Sequence, residues 1–418
     1  MNKSIIGLMA LMLVSTLLNA QQLPKQVILP NGWKLSPAGK SFGLGDLPLN
    51  IAVSSTGRLM AVTNNGQSTQ TIQLIDVKAE KVIDSIVIGK SWYGLTFSND
   101  EKYLYASGGH DNRIVKYGLI NNKLKQIDEF IMDKPWPTRV GPAGITLDEQ
   151  RNRLYVVTRE DKQLYAFDLS SKKIISKLGL DAEAYDCKIG KGGKELYVSC
   201  WGCDKVLVYD LEKNLWKSPI IVGDNPNEML VTKDGKYLYV CNSNDNSVSV
   251  VDLSTRRVIE TLDAALFPNS PSGSTTNSLA LDPIAKRLYI ANANNNCLAV
   301  FDVAVPGKSL AKGFVPVGWY PTAVKIVNNK LWVANGKGMT SLANPFGPSP
   351  IRRKEEVIHH GFSTKDPSQV EYIETAGEIG ALLLESNLIK TLNPIFNVRL
   401  RRLRKLCAIQ IEAKGNGL

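Results

Sequence analysis

The residue groups most suggestive of chemistry are a Cys200-Trp201-Gly202-Cys203 pair and three histidines. A C-x-x-C can be half a zinc site, a redox pair or a turn. Zinc takes four ligands, and no second C-x-x-C or suitable histidine shares this stretch. A redox pair normally opens a helix, whereas this one lies between Leu196-Tyr197-Val198-Ser199 and Val206-Leu207-Val208-Tyr209, both strand-like. Residues i and i+3 of a tight turn come within ~7 Å, a span a disulfide can bridge. Cys200 and Cys203 therefore read as a local disulfide or two free thiols. His110 sits in a turn, Gly108-Gly109-His110-Asp111-Asn112, and His359-His360 lie beside Arg352, Arg353 and Lys354. No Ser/His/Asp set, phosphate-binding loop or dinucleotide fingerprint appears. The sequence thus offers no catalytic residue, no metal ligand set and no cofactor site.

The elements around these residues repeat. Leu154-Tyr155-Val156-Val157, Leu196-Tyr197-Val198-Ser199, Leu238-Tyr239-Val240-Cys241, Leu288-Tyr289-Ile290-Ala291 and Leu331-Trp332-Val333-Ala334 share one pattern, as do Leu104-Tyr105-Ala106 and the weaker Met60-Ala61-Val62-Thr63. The seven copies start 42 to 50 residues apart. Each is preceded by a β-rich run and a polar turn, then followed by another turn and two alternating strands. Four strands per repeat of this length is the pattern of a propeller blade. The expected fold is all-β: seven four-stranded antiparallel blades over 21–340. Ala38–Gly45 is expected to supply the outer strand of the last blade and so close the ring. Asp76, Asp168, Asp210, Asp252 and Asp302 end successive third strands and read as turn formers rather than catalytic acids.

The chain has 418 residues, 44% hydrophobic and 21% charged, with a formal net charge of +11. That composition is ordinary for a globular protein. Residues 1–20 have the form of a signal peptide, with Lys3 ahead of an apolar run and Ala20 at the cleavage point. The expected location is periplasmic or secreted, which argues against nucleic acid as the partner of the basic charge. No later stretch is apolar enough to span a membrane. Residues 341–373 read as a linker and 374–418 as an atypical basic tail, irregular or helical.

In a propeller the lead-in to each first strand and the turn between strands two and three share one face. On that face the repeat places Trp92, Tyr93, His110, Arg139, Tyr185, Asp186, Asn227, Glu228, Asn277, Trp319 and Tyr320 around the channel mouth. Aromatic, amide and charged groups together suit a polar ligand, a peptide or a partner protein. The competing reading is that Pro and Gly here make turns and the aromatics pack between blades. A monomer is expected.

The phrases Leu238-Tyr239-Val240-Cys241-Asn242 and Leu288-Tyr289-Ile290-Ala291-Asn292 resemble the YVTN-repeat propellers, also described as YncE-like. Val27-Ile28-Leu29-Pro30-Asn31-Gly32-Trp33 resembles the opening of exported propellers that precede an alkaline-phosphatase-like phosphoesterase domain. That resemblance implies a propeller fragment of a two-domain phosphoesterase, whose catalytic residues have no counterpart here. Some propellers hold a metal on the axis and hydrolyse lactones; Asn50, Asp186, Glu228 and Asn277 are the residues such an activity would use. The favoured expectation is a non-catalytic binding or scaffold module.

Overall fold

The computed structural model describes residues 27–338, apart from 30–32, 67 and 269. The expected signal peptide, linker and basic tail lie outside the described residues.

The repeated phrase folds as the second strand of each sheet, and its alternation decides the packing. In Glu195–Cys200, Leu196 and Val198 face one neighbouring sheet and join a core with Tyr155 and Leu164, while Tyr197 faces the other and joins Met229 and Leu238. A strand buried on both faces has no polar side to present, so Leu-Tyr-Val is apolar throughout. Burying a side chain of this size contributes roughly 1.5–3 kcal/mol. Tyr197, Tyr239 and Leu238 are all nearly inaccessible.

Five sheets have four antiparallel strands and a sixth has five, its outer strand being split in two; all follow chain order from the innermost strand outward. Blade 1 runs from Pro48–Val53 to Lys81–Val87, blade 2 from Leu95–Phe97 to Lys123–Ile131, and blade 3 from Pro142–Asp148 to Ile174–Gly179. Blade 4 begins at Ala184–Ile189. Its outer strand is split into Leu215–Trp216 and Ile220–Ile221, both paired to Lys205–Asp210, with Pro219 in the gap. Blade 5 spans Pro226–Val231 to Arg257–Asp263, and blade 6 spans Thr276–Asp282 to Leu310–Pro316.

The seventh copy of the repeat departs from expectation. Among the described residues it forms only two strands, Pro321–Val327 and Lys330–Asn335, so the propeller has six complete blades and a half-blade. The half-blade still completes the ring of cores: Val324 packs with Leu298 of blade 6, and Ala323, Val327 and Ala334 pack with Ile51, Met60 and Val62 of blade 1. Ala38–Gly45 is not the expected closing strand. It crosses the half-blade as irregular chain, with the Ala38 N–H donating to the Pro316 carbonyl at 3.0 Å and Phe42 set edge-on to Trp332 at 6.3 Å. Glycines at 39, 43 and 45, the first at φ +79°, explain why no strand forms.

The third-strand aspartates are turn formers as expected. Asp210 accepts from the Glu212 and Lys213 N–H groups at 3.0 and 2.8 Å, and Asp168 accepts from Ser170 and Ser171 in the same way. Lys217 at 2.8 Å, together with those N–H groups, draws the Asp210 carboxyl down to about 2. Its native pKa lies below the unfolded value, so its contribution to stability is complete above pH ~4 and is lost as pH falls toward 2. Melting temperature measured from pH 5 to pH 2 should fall less steeply in Asp210→Asn than in the wild type. Parallel curves would refute this assignment.

Candidate functional site: the channel mouth

Every first strand except that of blade 2 enters the ring through a bulge; in blade 2 the paired strand begins only at Leu95, after the equivalent residue Gly94. In blades 1, 3, 4 and 5 the register slips between the first residue and the fourth, as at Pro48/Ile51 and Ala184/Cys187. A bulge leaves one N–H out of the ladder. Here a hydroxyl on the second strand takes it: Asn50 N–H donates to Thr63 Oγ1 at 3.2 Å, Gly94 N–H to Ser107 Oγ at 3.1 Å, and Asp186 N–H to Ser199 Oγ at 3.0 Å. This is the physical role of the small hydroxyl residue that follows the Leu-Tyr-Val phrase in several copies. Ser199→Ala should cost about 1–3 kcal/mol in urea unfolding, because the Asp186 N–H would be buried without an acceptor; an unchanged midpoint would exclude that role.

The third residue of the strand turns its side chain toward the next blade. Asn50 Nδ2 donates to the Tyr93 carbonyl at 2.7 Å, Asp186 Oδ2 accepts from the Met229 N–H at 3.2 Å, and Ser278 Oγ accepts from the Val324 N–H at 3.0 Å. Asn227, also fully buried, donates to the Thr276 carbonyl at 3.2 Å and lies 3.4 Å from Asn277. Asn50, Asp186 and Asn227 therefore latch blades together. These contacts give the three residues a packing role between blades.

Glu228 differs. It is 4% exposed, and its Oε1 accepts from Lys325 Nζ at 2.5 Å, reaching past blade 6 to the half-blade. Its Oε2 is buried and has no hydrogen-bond partner among the described residues. Asp186, beside it, pairs with Lys188 at 3.0 Å. Burial raises the Asp186 carboxyl, Glu228 adds to that, and Lys188 opposes it. Burial works against the Lys188 charge, yet Asp186 and then Glu228 hold its pKa above the usual lysine range. The rings of Tyr93 and Tyr185 meet at 4.5 Å, and Tyr185 stacks on Trp201 at 5.7 Å. Burial, followed by Asp186 and Glu228, pushes the Tyr93 phenol well above its ordinary value.

A second group lies on the rim. Arg159 sits 4.7 Å over the Trp92 ring and Arg139 5.0 Å over Trp136. His110 Nε2 is 2.8 Å from Glu160 Oε1, and its ring is 5.3 Å from Trp136. Lys337 lies over both Trp319 and Tyr320, at 5.2 and 4.8 Å. The loops holding these groups are braced by asparagines in the left-handed conformation. Asn112 bonds Lys134, Thr138 and Gly141, and Asn296 accepts from the Tyr320 N–H at 3.0 Å. Across the ring the rim is acidic: the Asp224 N–H donates to Asp245 at 2.6 Å, and Asp204, with Asp224 and Asp245 nearby, is raised by burial and then by Asp224. Lys188, Lys325, Trp136, Arg159, Glu160 and Lys337 were not among the residues expected at the site. Cys200 and Cys203 are free thiols, which leaves the disulfide alternative unrealised. Cys200 is fully buried at a strand end, and the Cys203 N–H donates to its carbonyl at 3.1 Å, so the turn is closed by backbone. No cluster of three or more His, Cys, Asp or Glu able to hold a metal occurs among the described residues.

The repeat and this topology agree with a match of residues 40–325 to the YncE-like β-propeller family. The chain belongs to that family. This YncE-like propeller is 28% identical over 153 residues to antigen Lp49 of Leptospira interrogans, covering 32% of this chain and 33% of that protein. It is also 61% identical over 46 residues to excinuclease Cho of Escherichia coli K12, covering 11% of this chain and 16% of the excinuclease. The chain thus spans about a sixth of the excinuclease relatives and a third of Lp49. Among solved structures, it is similar to Kuenenia stuttgartiensis hydrazine synthase (15% identity, TM-score 0.56, 71% of this chain and 95% of that one). U3-55K is similar to the same degree (12%, 0.58, 74% and 94%). At such identities these two likenesses concern the YncE-like propeller's fold alone.

Proposed function

We propose that this YncE-like propeller is an exported, non-catalytic binding module that takes an acidic peptide segment of a partner protein across its channel mouth. The observation that carries the reading is the set of cations held over indole rings on one face: Arg159 on Trp92, Arg139 on Trp136 and Lys337 on Trp319. A guanidinium stacked on an indole keeps N–H groups free at its edge for a carboxylate, while the ring offers an apolar surface. Trp136 is 51% exposed, and its neighbours His110 and Arg139 are exposed as well. The braced loops mean that little ordering cost is added on binding. The acidic rim at Asp224 and Asp245 repels such a segment, which confines it to the side of the mouth that carries the stacked cations.

Calorimetric titration with a peptide alternating Glu and Phe tests this, with a Lys-and-Phe peptide as the control. The acidic peptide should bind, weaken with added salt, and lose about tenfold in affinity in Arg159→Ala. Equal binding of both peptides, or binding of neither, would sink the proposal.

A further inference from the structure

Two oppositely charged pairs sit inside the ring: Asp186 with Lys188 on blade 4, and Glu228 on blade 5 with Lys325 on the half-blade. Their formal charges cancel, but their hydrogen bonding does not. Asp186 is satisfied by Lys188, the Cys187 N–H and the Met229 N–H. Glu228 has one oxygen on Lys325 and the other, Oε2, buried without a partner among the described residues. An ionised carboxylate oxygen left so is costly, and proteins rarely keep one without a donor to fill it. The two ammonium groups each have N–H donors beyond the one aimed at their carboxylate. Their side chains are 36% and 22% exposed, so solvent reaches them. Tyr93 and Tyr185, 4.5 Å apart, supply aromatic faces close to both acids.

We infer that the ring holds a binding site for a small zwitterion of α-amino-acid type, its ammonium donating to Glu228 Oε2 and its carboxylate accepting from Lys188 and Lys325. An electroneutral site with one unfilled acceptor and several free donors disfavours a ligand of single charge, which would leave its own charge unbalanced beside two buried carboxylates. A zwitterion completes both sides at once, through charge-assisted hydrogen bonds. Aromatic faces additionally favour the ammonium end. This site lies inside the ring and involves none of the rim cation–indole pairs, so it stands or falls apart from peptide binding.

The test is calorimetry and thermal melting of the whole chain with glycine and L-alanine, compared with ethylammonium chloride and sodium acetate. Glycine or alanine should bind at one site per chain and raise the melting temperature, with the singly charged ions at least about tenfold weaker. Glu228→Gln, which keeps the shape but removes the charge, should lose about tenfold or more in affinity, while Gly179→Ala on the outer strand of blade 3 should leave it unchanged. Should Glu228→Gln fail to fold, Lys188→Met gives a second reading, with a similar loss expected. Absence of amino-acid binding to the wild type, equal binding of ethylammonium or acetate, or wild-type affinity in the folded variant would overturn the inference. Loss of acidic-peptide binding alone would leave it intact.

Discussion

Gly94→Ala should destabilise the propeller by about 3 kcal/mol or more in urea unfolding. A methyl group there would stand 2.2 Å from the Ala143 carbonyl oxygen, 3.0 Å from Ile145 Cγ2 and 3.1 Å from Ser107 Cβ. The nearest of these is backbone of the next inner strand, which cannot rotate away as a side chain would. Gly144 stands in the same relation to blade 4: a methyl there would lie 2.6 Å from Asp186 Cα and 2.7 Å from the Tyr185 carbonyl oxygen. Blades 2, 3 and 4 thus meet backbone to backbone at the axis. Gly179 is the control: nothing lies within 4 Å of a methyl at that position, so Gly179→Ala should stay within about 0.5 kcal/mol of the wild type. Similar midpoints for Gly94→Ala and Gly179→Ala would show that the inner strands are not held as described.

Lys325→Met is expected to cost about 3 kcal/mol, because it strands Glu228 as an uncompensated charge that is only 4% exposed. The low end of the range for buried pairs applies, since Lys188 lies close enough to share part of the charge. Adding Glu228→Gln should restore more than half of the loss, as the remaining polar group is neutral. A double-mutant cycle from denaturant curves measures this coupling directly. Additive effects of the two substitutions would mean that the pair does not interact in solution.

The strands of the propeller are legible in the sequence because their cause is local. Leu196, Tyr197 and Val198 declare a strand buried on both faces, and repetition of that phrase at blade spacing leaves few other architectures. Counting copies overestimates the complete blades, because the phrase marks the second strand only; Leu331-Trp332-Val333-Ala334 forms its strand without a third or fourth beside it among the described residues. Position in the chain suggests an N-terminal closing strand, but Gly39, Gly43 and Gly45 argue against strand pairing there. At the mouth, the location of Trp92, Tyr93, Tyr185 and Glu228 follows from the repeat, but their roles do not. Asp186 and Glu228 occupy equivalent positions and look alike in sequence. One reaches a backbone N–H of its neighbour, and the other, a methylene longer, ends on a lysine 97 residues away. Lys188 and Lys325 escape notice because a strand lysine reads as solvent-facing unless its register to the axis is known. Left-handed backbone at Leu47, Thr275 and Tyr320 is likewise hidden, since none of these residue types announces it.

The side-chain latches at the bulges have an evolutionary consequence. Asp186 and Ser278 each grip a main-chain N–H of the following blade, and Asn50 grips a main-chain carbonyl. A peptide carbonyl is offered by every amino acid, and a peptide N–H by every one but proline. A blade gripped in this way can therefore change its inner-strand residues without a matching change next door, whereas Glu228 and Lys325 must change together. At the main-chain seams drift is uncoupled from one repeat to the next, and a new specificity can arise in one blade while its neighbour keeps its contacts.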